Sequence, residues 1–231
     1  MKAIVLAGGF GSRLAHITQH TPKPMAKIGG RPFLEYLLDN IINQGVDHII
    51  LSVGYKWKMI ESHFSDCYKG VPVSYVVESV PLGTGGATQK AFRQIDVEDA
   101  LVLNGDTFCQ VDLRKLTHFH QSNNSCFTMT IKSIEDVSRF GRVQVTESGV
   151  IQAFLEKGYD GHGLINTGVY VIKKSLFQQY SCPESFSLEM DLIEKHLLTI
   201  NPLGFLTDRY FIDIGIPEDY ERANCEMINE L

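Results

Sequence analysis

The chain opens on an unbroken apolar run, Ala3-Ile4-Val5-Leu6-Ala7, that stops at Gly8-Gly9-Phe10-Gly11. An apolar run of that length ended by a glycine turn reads as a strand covered on both faces. His48 to Val53, Val73 to Val77 and Ala100 to Leu103 read the same way. Between them the pattern predicts helices from Pro32 to about Gln44, with Gly45 as the stop, from about Lys56 to Phe64, and from about Thr84 to Gln94. Strands alternating with helices predict a parallel sheet flanked by helices. After about residue 125 the rhythm changes. Ser125–Ile131, Arg142–Val145, Val150–Leu155 and Asn166–Val171 are close-spaced strands, with hairpin signals such as Glu147-Ser148-Gly149. Helices return at about 188–198 and 217–229, and Tyr210–Asp213 reads as a last parallel strand. The expectation is a single α/β domain over 1–231, with a Rossmann-like, mixed but mostly parallel sheet flanked by helices, and a small β-rich lobe built from about 125–231.

Composition narrows the classes without changing that picture. Hydrophobic residues make up 44% and charged residues 21% of 231 residues, the balance of an ordinary globular chain. Acidic residues outnumber basic ones by 27 to 21, for a net charge of -6, which argues against a nucleic-acid binder but not against a small anionic ligand. The apolar stretches are too short for a membrane span, and the run after Met1-Lys2 is a first strand rather than a signal peptide. Five scattered cysteines, Cys67, Cys109, Cys126, Cys182 and Cys225, include no C-x-x-C pair and read as reduced thiols of a cytoplasmic protein.

Candidate chemistry begins at Leu6-Ala7-Gly8-Gly9-Phe10-Gly11-Ser12-Arg13-Leu14. A strand ending in glycines lets backbone N–H groups approach phosphate oxygens. A dinucleotide fingerprint would need Gly where Leu14 stands, and a Walker A loop would need Gly-Lys-Ser/Thr in place of Ser12-Arg13-Leu14. Lys23 lies between Pro22 and Pro24, which predicts a stiff, extended segment carrying a cation near the glycine loop. Asp106 follows the fourth strand and Asp213 ends a later one, and two carboxylates at strand ends suit Mg²⁺. His118 and His120 point apart on a predicted helix and read as surface residues.

The glycine loop followed by Pro22-Lys23-Pro24-Met25 resembles the signature of the sugar-1-phosphate nucleotidyltransferases. The resemblance continues at Glu78–Ala87, Asn104-Gly105-Asp106, Glu156-Lys157, Ile165–Gly168 and Ile212–Gly215, and so spans nearly the whole chain. It implies the nucleotide-diphospho-sugar transferase fold, with a nucleotide-binding half over about 1–124 and a sugar-binding half over about 125–231. The implied reaction joins a nucleoside triphosphate to a sugar 1-phosphate and releases pyrophosphate. The implied catalytic residues are Arg13 and Lys23, and the implied Mg²⁺ ligands are Asp106 and Asp213. Nucleotide contacts fall on Leu6, Ala7, Gly8, Gly9, Gly11, Ser12, Arg13, Glu78, Pro81, Gly83 and Thr84. Sugar-phosphate contacts fall on Asn104, Gly141, Glu156, Lys157, Asn166 and Thr167. Relatives that take UTP or dTTP tend to carry Gln where Glu78 stands. A carboxylate only accepts, which matches the paired N1–H and N2–H₂ donors of guanine and tilts the choice to GTP. The resemblance is strongest to guanylyltransferases of heptose 1-phosphates, with mannose 1-phosphate as the nearest competing substrate, and it allows a homodimer. Two readings remain beside it: a uridylyl- or thymidylyltransferase, and a silent nucleotide-sugar-binding regulatory subunit.

Overall fold

The computed structural model describes residues 1–9, 21–155, 158 and 161–230. Four strands are built from the apolar runs: β1 (Lys2–Ala7), β2 (His48–Val53), β3 (Val71–Val77) and β4 (Asp99–Asn104). They pair in parallel, β3-β2-β1-β4, so the strand order reverses at β1. The helices between them are α1 (Phe33–Asn43), α2 (Trp57–Phe64) and α3 (Gly83–Phe92). Pro32 is the N-cap of α1 rather than its first residue, and Gly45 follows the helix with a φ of 94°.

The second half extends the same sheet. A short strand β5 (Thr107–Cys109) and helix α4 (Leu113–Ser122) lead into β6 (Phe127–Ile134), β7 (Arg142–Val145), β8 (Ile151–Leu155) and the long β9 (Gly163–Lys173). β9 runs antiparallel to β4 on one edge and to β6 on the other, and β7 and β8 continue outward from it. β10 (Leu203–Thr207), which the sequence pattern did not reveal, lies parallel to β6. The mixed, mostly parallel sheet flanked by helices is therefore as expected.

Two expected elements differ. The segment 188–198 is a π-helical turn (Leu188–Ile193), a 3-10 turn (Glu194–His196) and one α turn (Leu197–Ile200). The last strand, β11 (Phe211–Asp213), is not a parallel strand of the main sheet. It pairs antiparallel with β5, setting Asp213 opposite Thr107, before the closing helix α5 (Pro217–Glu230). Three residues of apolar pattern fix neither partner nor sense; the ladder to β5 does.

Strand alternation divides the core into two layers. Ala3, Val5 and Ala7 of β1 face the side covered by α1, α2, α4 and α5, through residues such as Phe33, Phe64, Leu116 and Met227. Ile4 faces the side covered by α3 and the 176–193 segment, with Phe92, Phe177 and Leu192. On β9, Val169 and Val171 join the first layer while Tyr170 and Ile172 join the second. The reversal of strand order at β1 opens a crevice between the loops after β1 and β4, where ligands of open α/β sheets collect.

Candidate active site

The crevice is a cleft of about 300 Å³. The end of β1 supplies Leu6, Ala7, Gly8 and Gly9 to its floor, and Asn104 and Asp106 come from the end of β4. Lys23 enters from the Pro-rich segment, and Glu78, Pro81, Gly83 and Thr84 close it from the β3–α3 side. The sequence-predicted nucleotide residues in the described part of the chain therefore converge on one place. Gly11, Ser12 and Arg13 lie outside the described residues, as do Glu156 and Lys157 on the sugar side.

Lys23 is not on an extended segment. It begins a 3-10 turn, Lys23–Met25, with the extended Pro22 as its N-cap. The Met25 N–H donates to the Pro22 carbonyl at 2.8 Å and the Ala26 N–H to the Lys23 carbonyl at 3.0 Å. Pro24 is tolerated because the N–H it lacks would have no partner in the first turn of a helix. The Lys23 ammonium lies 2.7 Å from Asp106 Oδ2 and 3.8 Å from Asp213 Oδ1, with its side chain only 11% exposed.

The two aspartates meet because β5 and β11 pair, and because the Ile214 N–H donates to the Asp106 carbonyl at 3.1 Å. Burial pushes the Asp213 carboxyl above its ordinary value; the charge of Asp106 adds to this and Lys23 opposes it. Asp213 Oδ1 is buried without a hydrogen bond. An orphaned carboxylate oxygen beside a second carboxylate fits a hard divalent cation, which binds through one or two carboxylates plus phosphate and water. Among the described residues no cluster of three or more acidic, His or Cys side chains forms a metal cage, so the donor set suits an ion completed by its substrates.

Glu78 follows β3, and its N–H donates to the Val53 carbonyl. Ser52 donates its hydroxyl to Glu78 Oε1 at 3.0 Å, and the Leu82 N–H donates to Oε2 at 3.1 Å. An ionised carboxylate has about four acceptor sites, so about two remain for a ligand. A Cβ on Gly8 would stand 2.5 Å from Glu78 Oε1, so a side chain there would displace the carboxylate from the position that Ser52 and the Leu82 N–H give it.

The run Pro81–Ala87 has a second purpose that its sequence did not disclose. Segment 184–188 crosses directly over the first turn of α3, with the Gly85 N–H donating to the Phe186 carbonyl at 3.0 Å and the Phe186 N–H to the Leu82 carbonyl at 2.9 Å. A Cβ on Gly85 would lie 2.1 Å from the Phe186 ring. Thr84 is tied into the same crossing: its hydroxyl donates to Glu189 Oε2 at 2.9 Å and accepts from the Leu188 N–H at 2.9 Å.

A second pocket, of about 560 Å³, is lined by Phe140, Gly141, Phe154, Asn166, Glu189 and Met190, among others. Gly141 and Asn166 of the expected sugar contacts are here, and Asn104 is in the cleft. Thr167 differs: it is fully buried, and its hydroxyl donates to the Thr130 carbonyl at 3.1 Å, so that side chain braces β6 against β9 and does not reach the pocket. Just before the pocket, Arg139 pairs with the buried Asp219 at the start of α5. Glu189 is the functional candidate that sequence reading missed; a lone Glu in a turn carries no local signal of its three partners. His120 is also misplaced by its sequence: it is 1% exposed, hydrogen-bonded through Nδ1 to Thr128, and part of the core rather than the surface.

The nucleotidyl transferase family model matches residues 2–230. A D-glycero-α-D-manno-heptose 1-phosphate guanylyltransferase of Aneurinibacillus thermoaerophilus is 46% identical over 227 residues, 98% of each chain. A mannose-1-phosphate guanylyltransferase of Mycobacterium tuberculosis is 34% identical over 230 residues, which is 98% of this chain and 64% of that protein. The crystal structure of HddC from Yersinia pseudotuberculosis complexed with GMP-PN superposes with a TM-score of 0.87 at 37% identity, over 98% of this chain and 99% of that one.

Proposed function

This chain belongs to the nucleotidyl transferase family, and from that premise we propose that it transfers a guanylyl group from GTP to D-glycero-α-D-manno-heptose 1-phosphate, giving GDP-heptose and pyrophosphate. The observation that carries the reading is 46% identity to a heptose 1-phosphate guanylyltransferase along 98% of both chains. A cleft lined by Lys23, Asp106 and Glu78, with Asp213 3.8 Å from the Lys23 ammonium, supports it.

The chemistry needs no general base. A phosphate monoester has a second pKa near ~6 and is largely dianionic at neutral pH, so its oxygen is already a nucleophile. That oxygen attacks the α-phosphorus of GTP, a new P–O bond forms, and the bond from the α-phosphorus to the bridging oxygen breaks with pyrophosphate leaving. The barrier lies in bringing two polyanions into line. Lys23 brings a positive charge held beside Asp106 and Asp213. The backbone of Gly8 and Gly9 approaches phosphate oxygens, and Arg13 adds a second cation. Glu78 offers its remaining acceptor sites to the N1–H and N2–H₂ of guanine. Asn104, Gly141, Glu156, Lys157 and Asn166 meet the sugar phosphate. Asp106 and Asp213 would hold Mg²⁺, which supplies charge neutralisation to the phosphates when bound. The reading extends to a cytoplasmic enzyme that feeds surface polysaccharide synthesis, and it allows a homodimer. Among the described residues no helix is long and apolar enough to cross a membrane.

Mannose 1-phosphate is the second substrate to weigh, because the Mycobacterium tuberculosis relative acts on it by name. Pyrophosphate release measured for GTP, UTP and dTTP against heptose and mannose 1-phosphates, with Mg²⁺ and with a chelator, tests the reading. GTP with the heptose phosphate should give the highest kcat/KM, and the chelator should stop it. A preference for UTP or dTTP, or nucleotide-sugar binding with no turnover of any pair, would reject it.

A further inference from the structure

One carboxylate stands between the two pockets and is held from three directions. Glu189 Oε1 accepts from the Tyr170 hydroxyl at 2.6 Å, and Oε2 accepts from Thr84 at 2.9 Å and from Ser187 at 3.2 Å. With three donors on about four acceptor sites, little of this carboxylate is left for a substrate. Its effect is passed on through Tyr170. That side chain is fully buried, and burial together with the neighbouring Glu189 pushes its phenol well above the ordinary value, so it stays protonated. Its single proton goes to Glu189, and its oxygen can then only accept.

What it accepts from is an amide of the site: Asn166 Nδ2 donates to the phenol oxygen at 2.7 Å. Asn166 Oδ1 is fixed in turn by the Gly168 N–H at 2.8 Å. Asn104 lines the cleft and Asn166 the adjoining pocket. An asparagine amide is nearly symmetric in shape, so only its hydrogen-bond partners decide which end is the donor.

We propose that Glu189 is a positioning residue for this site: through Tyr170 it commits the nitrogen end of Asn166 inward, and so sets what that amide offers to the sugar phosphate. Through Thr84 the same carboxylate is tied to the helix that closes the nucleotide cleft. The proposal rests on the guanylyl-transfer reading for its kinetic test, but not for its structural one.

Tyr170→Phe removes the hub, and Glu189→Gln keeps the size while replacing one acceptor by a donor. Each should raise the KM for heptose 1-phosphate about tenfold; for Tyr170→Phe, which leaves the Thr84–Glu189 bond in place, the Kd of GTP measured by calorimetry should change less than twofold. A residue that only supports the fold would reduce the active fraction, hence the apparent kcat, and leave KM alone. Sugar-phosphate KM values within twofold of the parent in folded variants overturn the proposal. Should both variants fail to fold, NMR of the parent protein decides. A side-chain NH₂ signal of Asn166 with one proton shifted and slow to exchange supports the relay; an averaged, rapidly exchanging pair overturns it. If the parent protein releases no pyrophosphate, the functional reading fails and the NMR measurement still tests the relay.

Discussion

Lys23 concentrates the electrostatics of the site in one side chain. Its ammonium is nearly buried and sits between Asp106 and Asp213. A cation held that way is preorganised, since no side-chain freedom is lost when phosphate arrives. Lys23→Ala should lower kcat by roughly 10²–10³-fold while the circular dichroism spectrum stays native; turnover near that of the parent protein would remove Lys23 from the chemistry. Glu78 carries the base choice at the same scale. Glu78→Gln keeps one oxygen to accept from the Leu82 N–H and turns the other position into a donor facing Ser52, whose hydroxyl can accept instead, and so presents an amide where guanine needs two acceptors. The ratio of kcat/KM for GTP over UTP should fall by about tenfold or more, and an unchanged ratio would place base reading elsewhere. Lys23 and Glu78 were both legible in the chain, because each sits in a contiguous motif. His120 and Thr167 lie on elements the chain did signal, but which distant segment packs against them it did not: His120 is buried against Thr128, and the Thr167 hydroxyl turns to the Thr130 carbonyl.

Helix α3 illustrates what an element can hide. Its glycines read as a ligand loop, yet Gly85 carries the crossing of segment 184–188 and thereby links the nucleotide cleft to the second pocket. The Phe186 ring is 3% exposed and has little room to retreat. Gly85→Ala should therefore destabilise the protein by about 3 kcal/mol through overpacking, seen as a fall in Tm of several degrees. It should also weaken GTP and sugar-phosphate binding together, because the crossing holds Thr84 and Glu189. A variant with parental Tm and parental KM values would show that the segment shifts freely. The strands β1 to β4 and the helices between them were predicted correctly, since their signals are local runs bounded by glycine. β10 was missed because a five-residue edge strand with Gly204 inside it lacks a pattern of its own.

At the scale of the whole molecule, acid sensitivity is set by groups the fold buries. Burial holds His120 below its ordinary value of 6.5; Lys173 adds to the effect and Asp99 opposes it, and burial lowers His48 as well. The unfolded chain therefore takes up these protons first. Stability is complete above about pH 6.5 and is lost as the pH falls from there towards the depressed folded values. Asp47, held below its ordinary value by the amino terminus, contributes stability that disappears only below pH 3.8. His120→Gln should flatten the Tm profile just below pH 6.5 and leave the more acidic loss in place; an unaltered profile would assign that slope to other groups.

Sequence alone determined the alternation of strands and helices, the glycine loop beside a proline-flanked lysine, and the family to which the residues belong. These are carried by neighbours along the chain, where periodicity, turn chemistry and proline act over a few residues. Tertiary structure decided the rest: the antiparallel pairing that brings Asp213 beside Asp106, the burial that takes Thr167 and His120 out of reach, and the Tyr170–Glu189 contact that joins two pockets. Each of these depends on which distant segment lies alongside, and that is settled by how two apolar layers close over a single sheet.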